Sequence, residues 1–272
     1  MNIVVIGEIL WDVFADSERL GGAPFNFAVH ARRLGHEVMF VSAVGDDDRG
    51  RRALERAARY GLPTDFIRVA PDMATGAVTV FLDAAGQPDF TIHRPAAYDA
   101  LRLDAGQLGR IASAKPGWIY YGTLLQTDPN AYRVTLDLLR ALPRARRFYD
   151  INLRRDSYTP ELVRTLMAAA DAVKLNDEEA ALFPEYSACS ITAVTRGERG
   201  CALRIRGDYA ECPACPVTVV DTVGAGDAFA AAFLHGLDQG WSAAKTGDFA
   251  NRLAASIAAQ RGAVPEAQAT PG

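Results

Sequence analysis

Ile3-Val-Val-Ile6, closed by Gly7, is a short apolar run bounded by a turn residue, the pattern of a buried strand. After Gly21-Gly-Ala-Pro24, residues 25–34 place Phe27, Ala28, Ala31 and Leu34 on one helical face, and Gly35 supplies a stop. Residues 38–44 read as the next strand and 49–60 as the next helix, closed by Gly61. Strand, helix, strand, helix predicts a parallel sheet covered by helices, an α/β fold.

Further along, the alternation breaks once. Residues 75–82 and 89–94 are β-prone runs on either side of Asp83-Ala-Ala-Gly-Gln-Pro88, with Gly86 available for the turn. They predict a hairpin with no helix between its arms, and hence a small sheet standing off the main one. Alternation resumes with strands at 118–121, 147–151, 172–175 and 191–195 and helices at 129–141 and 160–170. Residues 201–206 and 217–220 read as strands of a more antiparallel edge. Two Ala-rich helices follow at 225–237 and 243–260, and the tail beyond Pro265 is expected to fray.

Composition removes several functional classes. A net charge of −4 gives no basic field for a nucleic-acid backbone. No apolar run of about 20 residues is present to span a membrane, and MNIVVIGEIL lacks the basic start of a secretory leader. Cys189, Cys201, Cys212 and Cys215 are too few for a disulfide scaffold, and Cys212-Pro-Ala-Cys215 has no second ligand pair. Reduced thiols in a cytoplasmic protein are the expectation. The four histidines show no metal-ligand spacing. There is no GxxxxGK[ST] and no GxGxxG after the first strand, so neither a P-loop nor a dinucleotide-binding start is predicted.

Asp221-Thr-Val-Gly-Ala-Gly-Asp227 carries the chemistry. The small residues Gly224, Ala225 and Gly226 let backbone N–H groups crowd around a ligand. The first turn of the following helix adds unpaired N–H groups and partial positive charge, which makes an anion site. A carboxylate placed there, Asp227, needs a task. The task inferred is to accept a proton from an attacking hydroxyl during phosphoryl transfer, with the helix terminus favouring its ionised form. The competing reading is a helix cap.

The stretch DTVGAGDAFAAAFL (221–234) resembles the C-terminal signature of the ribokinase-like (PfkB) carbohydrate kinases. Residues 21–35 with Val44-Gly-Asp-Asp-Asp-Arg-Gly50 resemble the N-terminal one. GEILWDVF (7–14), GGAPFN (21–26) and Ala97-Tyr98-Asp99 are most similar to the fructokinase branch. The resemblance implies one three-layer α/β/α domain over 1–272, with a mostly parallel central sheet and a β-lid from about 10–20 and 74–97. It implies ATP-dependent transfer of the γ-phosphoryl group to a monosaccharide hydroxyl, fructose first. Alternative acceptors are 2-keto-3-deoxygluconate, for which Arg154 or Arg94 offers a cation, or a nucleoside, for which Phe14, Phe25 and Tyr98 offer aromatic faces. A non-catalytic sugar-binding regulatory protein is the rival of another class.

Site roles follow from the same resemblance. Asp12, Gly22, Asn26, Tyr98 and Arg154 would hold the sugar, Arg154 belonging to the D-x-N-x-R element Asp150-Ile-Asn152-Leu-Arg154. Asp12 also reads as a turn residue, Asn26 as a helix cap, and Arg154 as half of a surface ion pair. Asn176 and Glu179 (N-x-x-E) would organise Mg²⁺ and phosphates, largely through water, or simply form an acidic first helical turn. Thr195, Gly197 and Gly200, with Gly224 and Gly226, would face ATP, and Asn251 the adenine. A monovalent cation, K⁺, is implied near Asp221 and the Gly262-Ala263 loop, and a homodimer through the lid. In one respect the chain departs from the pattern: only residues 180–194 separate Glu179 from Thr195, where a longer helical segment is usual.

Overall fold

The computed structural model of the chain describes residues 1–82, 88–155 and 157–265. The expected turn at 83–87 and the tail beyond Pro265 lie outside them. The first third carries β1 (Asn2–Ile6), β2 (Leu10–Val13), β3 (Glu18–Gly21), α1 (Ala23–Arg33), β4 (Glu37–Gly45), α2 (Asp48–Arg59), β5 (Ile67–Ala70), β6 (Gly76–Leu82) and β7 (Pro88–His93). The middle carries α3 (Ala105–Ser113), β8 (Trp118–Gly122), α4 (Thr123–Gln126), α5 (Pro129–Ala141), β9 (Arg146–Asp150) and α6 (Pro160–Ala168). The last part carries β10 (Ala172–Asn176), α7 (Asp177–Leu182), β11 (Ile191–Thr195), β12 (Cys201–Ile205), β13 (Asp208–Cys212), α8 (Ala225–Asp238) and α9 (Ala243–Ala258).

The larger sheet runs β13-β12-β11-β10-β9-β8-β1-β4-β5. Every pairing from β11 to β5 is parallel, and β12 and β13 close one edge antiparallel. Alternate side chains of β1 go to opposite faces, as strand geometry dictates. Ile3 and Val5 join Phe27, Ala231, Phe233 and Leu253 of α1, α8 and α9 in one core, and the Phe27 ring stacks on Tyr120 at 3.8 Å. Val4 and Ile6 join Ile111, Leu138 and Val163 of α3, α5 and α6 in the other. Helices therefore cover both faces, the three-layer α/β/α arrangement expected.

β1 has β4 on one side and β8 on the other, so the strand order switches direction there. In parallel sheets a crevice opens beyond the strand C-termini at such a point. The second sheet, β3-β2-β6-β7, stands beside that crevice, with β6 and β7 pairing antiparallel as the hairpin pattern requires.

Two departures from the sequence reading concern the edge. Residues 217–220 form no strand; Val217, Val219 and Val220 lie exposed in irregular chain. Branched side chains make a strand only where a neighbour offers a ladder. The edge strand is β13 instead, reached from β12 through Arg206-Gly207, both with positive φ (51° and 96°) as a two-residue hairpin turn requires. The short 180–194 stretch contains only the end of α7, one 3₁₀ turn (Pro184–Ala188) and the start of β11.

Candidate active site

The ends of β1, β8, β9 and β10, the start of α8 and one face of the second sheet enclose a cleft of about 270 Å³. Glu8, Asp12, Gly22, Asn26, Asn152, Arg154, Lys174, Gly224, Gly226 and Asp227 line it, and Val78, Phe90 and Ile92 of the second sheet form an apolar wall.

Gly224 precedes α8 with φ 82°, and a Cβ there would stand 2.4 Å from the Cα of Ala263, so glycine is required for conformation and space alike. Ala225 N–H turns back to the Thr222 carbonyl at 3.3 Å. Gly226 and Asp227 enter the first helical turn, where N–H groups have no intrahelical acceptor. Asp227 is not a cap. Its buried carboxylate (8% exposed) accepts from Asn26 Nδ2 at 2.8 Å, across from α1. Burial pushes the Asp227 carboxyl up to about 6, against the opposing pull of Lys174 and the Asn26 hydrogen bond. This corrects the expectation that the helix terminus would favour the ionised form. Desolvation outweighs the terminus.

Beneath the turn, Lys174 Nζ lies so close that a Cβ on Gly226 would meet it at 3.4 Å. Lys174 is paired with the fully buried Asp150 at 3.1 Å, and Tyr120 donates to the same carboxylate at 3.0 Å. Burial pulls the Lys174 ammonium pKa down, but Asp150, Glu179 and Asp227 more than offset this and hold the group charged.

Asp12 sits on β2 opposite Arg19 of β3. Burial raises its carboxyl to about 6, with the exposed Arg154 pulling the other way. Arg19 reaches past it to Asp221, Nη1 to Oδ2 at 2.9 Å. Val223 N–H (3.0 Å) and Gly262 N–H (3.0 Å) also donate to the Asp221 carboxylate, and the Ala263 carbonyl is engaged by His30 Nε2 at 2.9 Å. Asp221 is thus surrounded by donors, whereas a monovalent cation needs oxygens; the residues present do not fit K⁺ at this carboxylate. Tyr98 is fully buried behind the cleft wall and does not line it, packing instead under Gly76. Asn176 and Glu179 lie outside both clefts and cap α7 reciprocally: Asn176 Oδ1 accepts from Glu179 N, and Glu179 Oε2 from Asn176 N, both at 2.8 Å.

A second groove of about 600 Å³ opens on the far side of the turn. It gathers Thr195, Gly197, Gly200, Ala225 and Asn251, together with Val217, Val219, Phe229 and the α9 alanines 254, 255 and 258. Thr222 and Gly226 line both cavities, so the grooves meet at the turn. Asn251 Nδ2 donates to the carbonyls of Cys212 (3.1 Å) and Pro213 (2.9 Å), pinning that strand end against α9. Glu8 and Lys174 line the first cleft, though sequence reasoning gave neither a role. Their only local signals were a carboxylate just after a buried strand and a lone lysine inside an apolar one.

Residues 2–269 match the pfkB family of carbohydrate kinases. A fructokinase of Klebsiella pneumoniae is 33% identical over 262 residues, spanning 87% of this chain and 84% of that protein. The crystal structure of a fructokinase with bound ATP from Xylella fastidiosa superposes with a TM-score of 0.84 at 26% identity, over 96% of this chain and 93% of that one. Aminoimidazole riboside kinase from Salmonella enterica, complexed with its riboside and an ATP analog, gives 0.82 at 25% identity, over 97% and 95%. The chain belongs to the pfkB family of carbohydrate kinases, enzymes that are phosphotransferases.

Proposed function

We propose that this sugar kinase transfers the γ-phosphoryl group of ATP to a hydroxyl of a neutral monosaccharide, with fructose the first candidate. The observation that carries the reading is the place of Asp227: its carboxylate lines the smaller cleft one residue from Gly226, which lines both. The smaller cleft takes the acceptor. Asp12 accepts hydrogen bonds from hydroxyls, Asn26 both donates and accepts, and Arg154 at the rim steadies the sugar or the phosphoryl group. The larger groove takes the nucleotide along Thr195, Gly197, Gly200 and Asn251, with the phosphates directed at the start of α8. A Xylella fructokinase and a Salmonella riboside kinase of this fold with bound nucleotide support the assignment.

Asp227 takes the acceptor's proton as the hydroxyl oxygen attacks phosphorus. Burial makes it a better base than an exposed carboxylate, since a general base works best with a pKa near the working pH. The N–H groups at the start of α8 stabilise the charge that develops on the transferring group, and Lys174 beneath them adds a fixed positive charge. Closure of the second sheet over the acceptor, as a lid, would exclude water.

Among the described residues no cluster of His, Cys, Asp or Glu is built to hold a metal directly. The resemblance gives a hydrated Mg²⁺ to Asn176 and Glu179, but the buried Glu179 carboxylate already accepts from Leu153 N–H at 2.7 Å and Asn176 N–H at 2.8 Å, so these residues would reach such an ion only through water and their remaining lone pairs. Such an ion would neutralise phosphate charge when bound. A homodimer through the second sheet, which exposes Phe81, belongs to the same reading, and sedimentation velocity measures it.

The carboxyls of the buried Glu8 and Asp227 and the half-buried Asp12 line the smaller cleft, and hydroxyls pair with a carboxyl in either protonation state, which favours a neutral acceptor over 2-keto-3-deoxygluconate. The test is ADP release measured over fructose, other ketoses, keto-deoxy acids and nucleosides. Turnover greatest with a neutral ketose is expected. Turnover only with nucleosides or acids overturns the acceptor assignment, and sugar binding without any turnover favours a regulatory protein.

A further inference from the structure

Glu8 has no part in the proton transfer, yet its carboxyl lines the acceptor cleft. It is 5% exposed, and its Oε2 has no hydrogen-bond partner. A buried polar atom without a partner is costly, and a position on a cleft wall explains it when a ligand completes the bond. The backbone beneath Glu8 is tightly held. Gly22 passes over it with φ 104°, where a Cβ would stand 2.6 Å from the Glu8 carbonyl oxygen. On the other side, a Cβ on Gly7 would strike Pro24 of α1 at 2.1 Å. The backbone of Glu8 is therefore held against α1, which carries Asn26, as the support of a recognition group must be.

We propose that Glu8 is a specificity-determining residue for the acceptor, its Oε2 meeting a hydroxyl of the bound sugar. This rests on the neutral-sugar reading above and deepens it. The charged and titratable groups that act on Glu8 are Arg154 beyond β9, Asp227 on α8, Arg94 beyond β7, Tyr98 and Tyr120. Arg94 is already committed to the buried Asp99 and to the carbonyl of Leu124, so it does not supply Glu8 with a partner. Burial raises the Glu8 carboxyl to about 7; its own backbone N–H and Arg154 oppose this, and Asp227 adds to it. Around neutrality the group carries a proton for much of the time. It can then donate to a sugar oxygen as well as accept, whereas the ionised form only accepts. Sugar affinity should therefore weaken as pH rises through about 7.

The test measures fructose binding by calorimetry, and KM and kcat, from pH 6 to 9 for the wild type, Glu8→Gln and Glu8→Ala. The isosteric, permanently neutral Glu8→Gln should bind fructose within a few-fold of wild type at pH 6 and lose the alkaline weakening. Glu8→Ala should raise the fructose KM about tenfold with the ATP KM unchanged, the size expected for a hydrogen bond made only to the acceptor. A Glu8→Gln profile that keeps the wild-type alkaline limb overturns the proposal, whether or not Glu8→Ala folds. So does a Glu8→Ala variant whose fructose KM stays within twofold of wild type. In both cases wild-type turnover of fructose leaves the sugar-kinase reading standing. A wild-type enzyme that neither binds nor phosphorylates any neutral sugar overturns both.

Discussion

The smaller cleft holds the buried carboxyls of Glu8 and Asp227 and the half-buried Asp12 near Arg154 and Lys174, whereas the groove beyond Gly226 is walled by Val217, Val219, Phe229 and the alanines of α9. Both meet at one turn, but they are made of different materials. Under the proposed function, charge is buried where a pattern of hydroxyls is to be recognised and a proton moved. Small side chains and backbone suffice in the groove assigned to the nucleotide. Burying several carboxyls costs stability unless each is paired or protonated. Burial raises Glu8 to about 7, so a proton takes that role there, while Lys174 and the Asn26 hydrogen bond act on Asp227.

The largest expected effect breaks the acceptor side alone. Asp227→Asn should lower kcat by about 10²–10⁴-fold, the range for loss of a positioned base, while ATP binding measured by calorimetry stays near wild type. The same variant should be the more stable protein at pH 8. Because the folded-state pKa is raised from 3.8 to about 6, this carboxyl's stabilising contribution is complete only below the ordinary value. It is lost as pH rises through about 6. At pH 8 the buried charge is a net burden, and removing it should raise the unfolding free energy by up to about 3 kcal/mol. Wild-type kcat/KM should fall on the acid side of about 6 as the same group gains its proton.

Next in size is Lys174→Met, which strands the fully buried Asp150. Breaking one half of such a pair costs about 3–5 kcal/mol, read as a lower unfolding midpoint in urea. Replacing both residues by apolar ones should recover much of that stability without recovering turnover. A smaller effect tests the other groove. Asn251→Ala frees the carbonyls of Cys212 and Pro213, and should raise the ATP KM by roughly fivefold, about one hydrogen bond, with the fructose KM unmoved. If both constants rose together, the two grooves would not be independent. The smallest expected effect is no effect: replacing K⁺ by Na⁺ or tetramethylammonium should leave kcat within about twofold, since Arg19 already neutralises Asp221.

The same contrast governs what the sequence disclosed. Backbone-built features were legible: the Gly-stopped helices, the β6–β7 hairpin, and the turn of Gly224 to Gly226, each encoded within a few residues. Asp12, Asn26 and Asp227 were readable through their motifs and come together in one cleft. Lys174 and Glu8 were not, because the contacts that matter for them join segments far apart in the chain. Lys174 looks like a strand residue until Asp150 is seen beside it. The state of Asp227 was misjudged for the same reason, since a helix terminus is local and burial is not. Residues 217–220 misled through composition, whereas β13, with Asp, Tyr and Glu in it, is a strand because Arg206-Gly207 folds it back on β12.

The Arg19–Asp221 contact joins strand β3 of the small sheet to the loop ahead of α8, 202 residues later. The arginine is 39% exposed and the aspartate 14%, so dissolved ions reach one partner freely. At physiological ionic strength the screening length is about 8 Å, and it shrinks to about 3 Å at 1 M. The grip between small sheet and core is therefore adjustable by electrolyte, looser in brine and firmer in dilute buffer, while the buried Lys174–Asp150 pair beneath the turn is shielded from the same change.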